Sequence, residues 1–251
     1  MFNEFDKEED SWRPPQKRWW VITKKVLSIA IGALMVLFIG ILILRSCISQ
    51  PPNSMTELIW SEDALDAYKT AKQNKEEFKI YEISSSQSFD QGDGDDDKSD
   101  DTASAMVSVY STYYMSKINE IQFSVRYNNR LFNYLFDSHP EAKSLYEDEK
   151  ELYTYTLRFE YADEEYAITD FSLTKDEKGG YTYRRLIFDI GENVHLENIA
   201  LMTLEISYVG EPDNVRHMIY IYKTGFGMTE YDYDAPKSAT KGIIKKENVF
   251  N

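Results

Sequence analysis

The densest cluster of side chains that could hold a metal ion is a run of aspartates in the middle of the chain. Three of them have the spacing of the first ligands of an EF-hand calcium loop: Asp93, Asp95 and Asp97. Such a loop needs glycine at its sixth position and a bidentate glutamate at its twelfth. Those positions hold Lys98 and Ser104. We therefore predict a solvated, disordered acidic loop over residues 86–104, with at most weak attraction for calcium.

The histidines do not form a metal-binding pattern either. The chain contains three: His139, His195 and His217. No two of them have the separation that places both rings on one metal in a helix or a zinc finger. We predict that they are ordinary surface histidines, and we predict no metal site and no bound cofactor.

The sequence offers no recognisable catalytic nucleophile. It has no Gly-x-Ser-x-Gly elbow, and its one cysteine, Cys47, follows an apolar segment near the N-terminus. A sortase-like transpeptidase would need a cysteine on a late strand, so that class is excluded. A pair of carboxylates for glycoside hydrolysis is recognised by its spatial separation, which a sequence containing 43 Asp and Glu does not reveal. A hydrolase therefore stays open as the alternative, and we assign no catalytic residue.

The tyrosines and one pair of arginines are the remaining candidates for ligand binding. All 19 tyrosines follow Trp60, and an exposed row of them could stack on sugar rings. Most occupy apolar positions of an alternating pattern, however, so we expect core and cross-strand packing. Arg184 and Arg185 could bind an anion, but we expect a β-bulge or a salt bridge there, because the apolar alternation changes phase at this pair.

A membrane-spanning segment precedes all of these candidates. Residues 26–44 contain no charged residue, Asn, Gln or Pro. As a helix this stretch would extend about 28 Å, close to the hydrocarbon thickness of a bilayer. It also lacks the polar stripe of an amphipathic helix in a soluble protein. We predict a transmembrane helix over residues 26–44.

The charges that flank this segment predict its orientation. Five basic residues lie within the fifteen residues before it: Arg13, Lys17, Arg18, Lys24 and Lys25. Arg45 follows it, and the next basic residue is Lys69. The positive-inside rule then predicts a cytoplasmic tail over residues 1–25, with the rest of the chain outside. No A-x-A-like cleavage site follows, so we expect an uncleaved signal anchor.

Cys47 and the absence of a sequon indicate the type of membrane. Residues 44–47 read Leu-Arg-Ser-Cys, which resembles a bacterial lipobox except for Arg45. A free juxtamembrane thiol is our preferred interpretation, with lipidation as the alternative. One cysteine excludes an intramolecular disulfide, and the exported part has no Asn-x-Ser/Thr sequon. We expect a bacterial plasma membrane.

The exported part is predicted to be mainly β. A stalk over residues 45–60 leads into a β-rich domain over residues 61–224, and a C-terminal tail spans 225–251. A helix is predicted from Glu62 to Glu77 with Ser61 as N-cap, and helical spacing recurs between Asn129 and Glu149, on both sides of Pro140. Alternation or apolar runs predict eight strands: 78–83, 106–114, 120–127, 153–161, 166–173, 181–190, 202–208 and 218–222.

These observations together define the expected fold and function. We predict a single N-terminal transmembrane helix followed by a mainly-β extracytoplasmic domain, an antiparallel sandwich or bent sheet with a minor helical part. The 28 Lys and Arg against 43 Asp and Glu give a net charge of −15, which excludes a nucleic-acid partner. The cytoplasmic tail is too short for a folded output domain. We therefore expect a non-enzymatic scaffold or complex subunit that binds another protein of the envelope.

Overall fold

The computed structural model describes residues 18–49, 51–84, 107–129, 135–137, 139–147, 151–210 and 216–246. The chain divides into two compact units, residues 1–50 and residues 51–251. Each unit is described by itself below.

The described part of the N-terminal unit is one long helix, α1 (Arg18–Ser49). Its stretch from Ile22 to Ser46 is long and apolar enough to cross a membrane, and none of it is buried inside the protein. At 1.5 Å per residue these 25 residues extend about 37 Å, somewhat more than the hydrocarbon core of a bilayer. The predicted segment, residues 26–44, lies within this stretch. A single candidate membrane helix is thus confirmed among the described residues.

The second unit consists of two antiparallel sheets, which confirms the predicted fold class. Its strands are β1 (Ile80–Ile83), β2 (Val107–Met115), β3 (Glu120–Asn128), β4 (Tyr153–Tyr161), β5 (Glu164–Ile168), β6 (Ser172–Lys178), β7 (Tyr181–Asp189), β8 (Leu201–Tyr208), β9 (Arg216–Lys223), β10 (Met228–Glu230) and β11 (Ile244–Lys245). The seven-stranded sheet, which we call the large sheet, has the order β10-β1-β2-β3-β7-β6-β11. The four-stranded small sheet has the order β5-β4-β8-β9.

The main core combines the apolar faces of both sheets. Phe123 on β3 stacks on Phe188 of the neighbouring β7, with ring centroids 5.7 Å apart. Tyr155 and Leu157 of β4 and Leu204 of β8 belong to the same buried cluster. Because side chains alternate between the faces of a strand, the odd-numbered apolar residues of β4 all point into this core.

A second apolar cluster covers the opposite face of the large sheet, which we call the outer face. Helix α2 (Glu62–Asn74) contributes to it, together with Trp60 and Tyr113. The predicted N-cap is confirmed, since the Ser61 hydroxyl accepts a hydrogen bond from the Ala64 amide at 3.0 Å. The helix stops at Lys75, which has a left-handed φ of 59°, so the predicted end at residue 77 was slightly late.

Strand β3 is more buried than its sequence pattern predicts, because other residues cover the outer face. Its alternation predicted a half-buried strand with Gln122 and Ser124 facing solvent, but residues 120–125 are all buried. The reason is that polar side chains on this face bind the main chain of residues 53–60, as described below. An alternating pattern does not distinguish water from a polar protein partner.

The bulge predicted at Arg184 and Arg185 is also wrong. Strand β7 pairs with β3 and with β6 in continuous register through both residues. The apolar phase seemed to change because both faces of β7 are buried, so each face carries large side chains. The large sheet is irregular elsewhere, between Tyr110 and Tyr113 of β2, where Ser111 adopts a φ of 44°.

The single strand predicted over residues 166–173 is two strands. β5 pairs with β4 in the small sheet, whereas β6 pairs with β7 in the large sheet. The preceding hairpin turns at Ala162 and Asp163, whose φ values of 54° and 63° suit a two-residue turn. The turn between β4 and β5 is therefore formed by these two residues.

Other predicted segments contain short elements or lie outside the described residues. The helix predicted after residue 139 is confirmed as α3 (Pro140–Glu147), and residues 135–137 before it are helical. Residues 225–251, predicted as a tail, contain β10 and β11. The acidic loop, residues 86–104, lies outside the described residues, so its disorder stays a prediction.

Candidate functional site

A strap formed by residues 53–60 crosses the outer face of the large sheet, and polar side chains hold it by its main chain. It begins with a short 3-10 helix (Asn53–Met55). The Gln122 side chain makes a pair of hydrogen bonds with Ile59, accepting from its amide at 3.0 Å and donating to its carbonyl at 2.6 Å. Gln122 therefore recognises this segment as a neighbouring strand would.

Three further side chains donate to carbonyls of the strap. Arg185 Nη1 donates to the Met55 carbonyl at 2.8 Å, and the Ser124 hydroxyl donates to the same oxygen. The Tyr113 hydroxyl donates to the Thr56 carbonyl at 2.9 Å. The strap side chains that point into the protein are apolar and buried: Met55, Ile59 and Trp60. Four side chains of the outer face thus bind the protein's own backbone: Gln122, Ser124, Arg185 and Tyr113.

Arg185 has an unusual environment for a charged side chain. Its residue is 0% exposed, and its Nε and Nη2 atoms have no hydrogen-bond partner among the described residues. The guanidinium carbon lies 5.1 Å from the centre of the Tyr113 ring. Burial lowers the pKa of Arg185 to about 10, so it remains charged at neutral pH. The expected salt bridge does not form here, because no described carboxylate lies within 4.0 Å.

Glu120 is a second buried ionisable group beneath the strap. It lies at the start of β3, where its carboxyl accepts hydrogen bonds from the Gln122 amide and from the Ser61 hydroxyl, the latter at 3.2 Å. Burial raises the pKa of Glu120 to about 7, and the two hydrogen bonds only partly offset that effect. Its proton is therefore released near neutral pH.

Arg184, by contrast, forms the salt bridge that the sequence suggested. Its Nε lies 2.8 Å and 3.0 Å from the two oxygens of Glu151, which is also buried. Lys175 Nζ reaches the same carboxylate at 3.3 Å. Arg184 lies on the core side of β7 and Arg185 on the outer side, so adjacent arginines experience opposite electrostatic surroundings.

Beyond the strap, the outer face carries a partly exposed arginine between two tyrosines. The Arg126 guanidinium carbon lies 4.9 Å from the ring centre of Tyr110 on β2 and 4.5 Å from that of Tyr181 on β7. Its one described hydrogen bond is a long one, 3.5 Å from Nη2 to the Ser108 hydroxyl. We call these four residues the Arg126 notch.

The histidines do not converge on one another. His139 packs its ring 5.0 Å from that of Tyr208 and places Nδ1 3.6 Å from a carboxylate oxygen of Glu141. His195 is exposed and precedes a 3-10 helix, and the side chain of His217 lies outside the described residues. No group of three potential metal ligands occurs among the described residues. Nothing here converts the histidines into a catalytic or metal centre.

Many of the tyrosines pack inside the protein, as predicted. Eight are buried: Tyr113, Tyr114, Tyr127, Tyr153, Tyr155, Tyr183, Tyr208 and Tyr222. Tyr127 and Tyr153 stack at 5.0 Å across the main core. The strap and the Arg126 notch were not anticipated from the sequence. A usable signal for the notch was available, since Arg126 interrupts an aromatic-rich region without a neighbouring acidic residue.

Comparison with known proteins adds no assignment. No family model, no curated protein and no solved structure matches this chain.

Proposed function

We propose that this chain is a single-pass bacterial membrane protein whose extracytoplasmic β-rich domain binds another component of the envelope, as a non-enzymatic scaffold or complex subunit. The observation that carries the proposal is the pairing of one fully exposed apolar helix with a domain of two filled cores. An exposed apolar surface of that length is stable in lipid rather than in water.

The buried polar groups of the domain also support binding over catalysis. Gln122, Ser124 and Arg185 are engaged with the main chain of the strap, and Arg184 with Glu151. Each of these contacts is made within the protein. A hydrolase would instead need two carboxylates facing a substrate cleft, one with a raised pKa and one ionised. Glu120 has the raised pKa, but its carboxyl is buried against Ser61 and Gln122.

Topology can be tested with a C-terminal tag. The concentration of basic residues before residue 26 implies that the C-terminus lies outside the cell. A protease added to intact protoplasts should then remove the tag, while a cytoplasmic marker protein survives. Survival of the tag until the cells are lysed would contradict the proposed orientation.

The choice between binding and hydrolysis can be tested by a carboxylate scan. Each Asp and Glu within residues 107–223 would be replaced singly by Asn or Gln in a strain in which deletion has a phenotype. A binding surface distributes its energy over several residues, so we expect graded, partial effects. Loss of a general acid or nucleophile costs orders of magnitude in rate. One substitution that reproduces the deletion phenotype at normal abundance and melting temperature would favour the hydrolase.

A further inference from the structure

We infer that the Arg126 notch is a docking site for a carboxylate side chain of an acidic segment in a protein partner. This inference rests on the proposed binding function and specifies its surface and the chemistry of its ligand. The notch consists of Ser108, Tyr110, Arg126 and Tyr181, on three neighbouring strands of the large sheet.

Arg126 has no carboxylate partner among the described residues, although the protein is strongly acidic. The chain carries 43 Asp and Glu against 28 Lys and Arg, so a partly exposed arginine would ordinarily find a carboxylate nearby. Arg158 does so, with Nε 2.7 Å from Glu205. No carboxylate oxygen of a described residue lies within 4.0 Å of Arg126. Among the described residues, the groups that interact with its N–H donors are the hydroxyls of Ser108 and Tyr183, and neither is a carboxylate.

Two tyrosine rings hold the Arg126 guanidinium in position. Tyr110 and Tyr181 lie on strands on opposite sides of β3, and their rings flank Arg126 at 4.9 Å and 4.5 Å. Such contacts restrict the side chain through cation–π attraction but do not consume its hydrogen-bond donors. A carboxylate can then bind in two-pronged fashion with little loss of side-chain entropy.

Strand β6 places charges of both signs on the outer face near the notch. Asp176 lies directly opposite Tyr183 and accepts a hydrogen bond from the Ser54 hydroxyl at 2.6 Å. Lys178 on β6 is exposed, has no described ion pair, and lies directly opposite Tyr181 in the register. It shares the outer face with Arg126 at about 12 Å, estimated from strand spacing and rise. Two cations at that separation match two acidic side chains four residues apart in one extended segment, which spans about 13 Å.

A protein segment fits this surface better than an anionic membrane or polymer does. The net charge of −15 repels a polyanion as a whole. A short segment with two carboxylates among apolar residues meets much less repulsion and can also pack against the tyrosine rings. Tyrosine and arginine are, moreover, the residues that dominate the energetics of protein–protein interfaces.

The test uses the full chain in nanodiscs of neutral phosphatidylcholine and a labelled, C-terminally amidated peptide, Gly-Glu-Leu-Gly-Leu-Glu-Gly. Its matched control is Gly-Gln-Leu-Gly-Leu-Gln-Gly, and binding is measured by fluorescence anisotropy at low salt. We expect the acidic peptide to bind at least tenfold more tightly than the neutral one. Arg126→Gln should lower the affinity at least tenfold, and Lys178→Gln a few-fold. Arg158→Gln, which removes an arginine already paired in the small sheet, should leave it unchanged.

Three outcomes would overturn the inference. The first is equal binding of the two peptides, and the second is unchanged binding by Arg126→Gln at an unchanged melting temperature. The third is stronger Arg126-dependent binding to phosphatidylglycerol vesicles than to the peptide, which would assign the notch to a membrane surface. In each case a graded carboxylate scan would leave the proposed binding function intact and reject only this surface. A single essential carboxylate would instead reject the binding function itself.

Discussion

Replacing Arg185 with methionine should raise the melting temperature of the β-rich domain. The substitution removes a fully buried cation for which no described carboxylate compensates, and methionine fills a similar volume. The Met55 carbonyl keeps a hydrogen bond from Ser124, so no buried acceptor is orphaned. Replacement of buried charges by apolar side chains is often stabilising by about 1–4 kcal/mol. For a domain of this size that corresponds to roughly 2–16 °C.

The neighbouring arginine provides the matched control. Arg184→Met leaves the buried Glu151 with Lys175 alone, at 3.3 Å. Removing one partner of a buried ion pair costs about 3–5 kcal/mol when the other charge is left unpaired. Glu151 keeps Lys175, so the loss should be smaller than that, but this variant should still melt at a lower temperature than the wild type. The same substitution at adjacent positions is thus expected to have opposite effects. A destabilised Arg185→Met protein would show that the buried guanidinium is compensated after all.

Replacing Glu120 with glutamine should remove a pH dependence of stability near neutrality. Burial raises the pKa of Glu120 from 4.5 to about 7 in the folded protein. The folded state therefore binds this proton more tightly than the unfolded state does. Its stabilising contribution is complete below pH 4.5 and is lost as the pH rises through 7. Between about pH 6 and pH 8.5 the loss amounts to roughly 1–2 kcal/mol, or about 2–8 °C.

Glutamine imitates the protonated acid, since its oxygen can accept from Gln122 and its amide can donate to Ser61. We expect thermal melts at pH 8.5 to show Glu120→Gln above the wild type, with the difference shrinking as the pH falls and vanishing near pH 4.5. Glu165→Gln, at an exposed position of β5, should follow the wild type throughout. Parallel curves for wild type and Glu120→Gln would mean that this carboxyl does not titrate in the range.

The elements predicted best are those in which one physical signal dominates. Residues 153–161 alternate strictly because one face of β4 packs in the core and the other is more exposed, and the predicted and observed bounds coincide. The helix start at residue 62 was predictable because an N-cap hydrogen bond depends only on local chain geometry. The long apolar helix follows from composition alone.

The missed features depend on contacts between distant parts of the chain. Gln122 and Ile59 are separated by 63 residues, and nothing local to either indicates that they meet. Arg184 and Arg185 are chemically identical in the sequence, yet one pairs with Glu151 and the other with a backbone carbonyl. The Arg126 notch requires the strand order β2-β3-β7, which alternation cannot supply.

The way the strap is held constrains its length more than its composition. The strap is held through hydrogen bonds to its carbonyl and amide groups, which do not depend on residue type. The side chains that make these bonds are Gln122, Arg185 and Tyr113. The exposed Glu57 can therefore be exchanged for almost any residue, whereas the four-residue interval from Met55 to Ile59 must be kept. One inserted or deleted residue would shift Ile59 out of step with Gln122 while Met55 stays in place. The strap should therefore tolerate substitutions but not insertions or deletions, because its hydrogen-bonded peptide groups lie at fixed intervals.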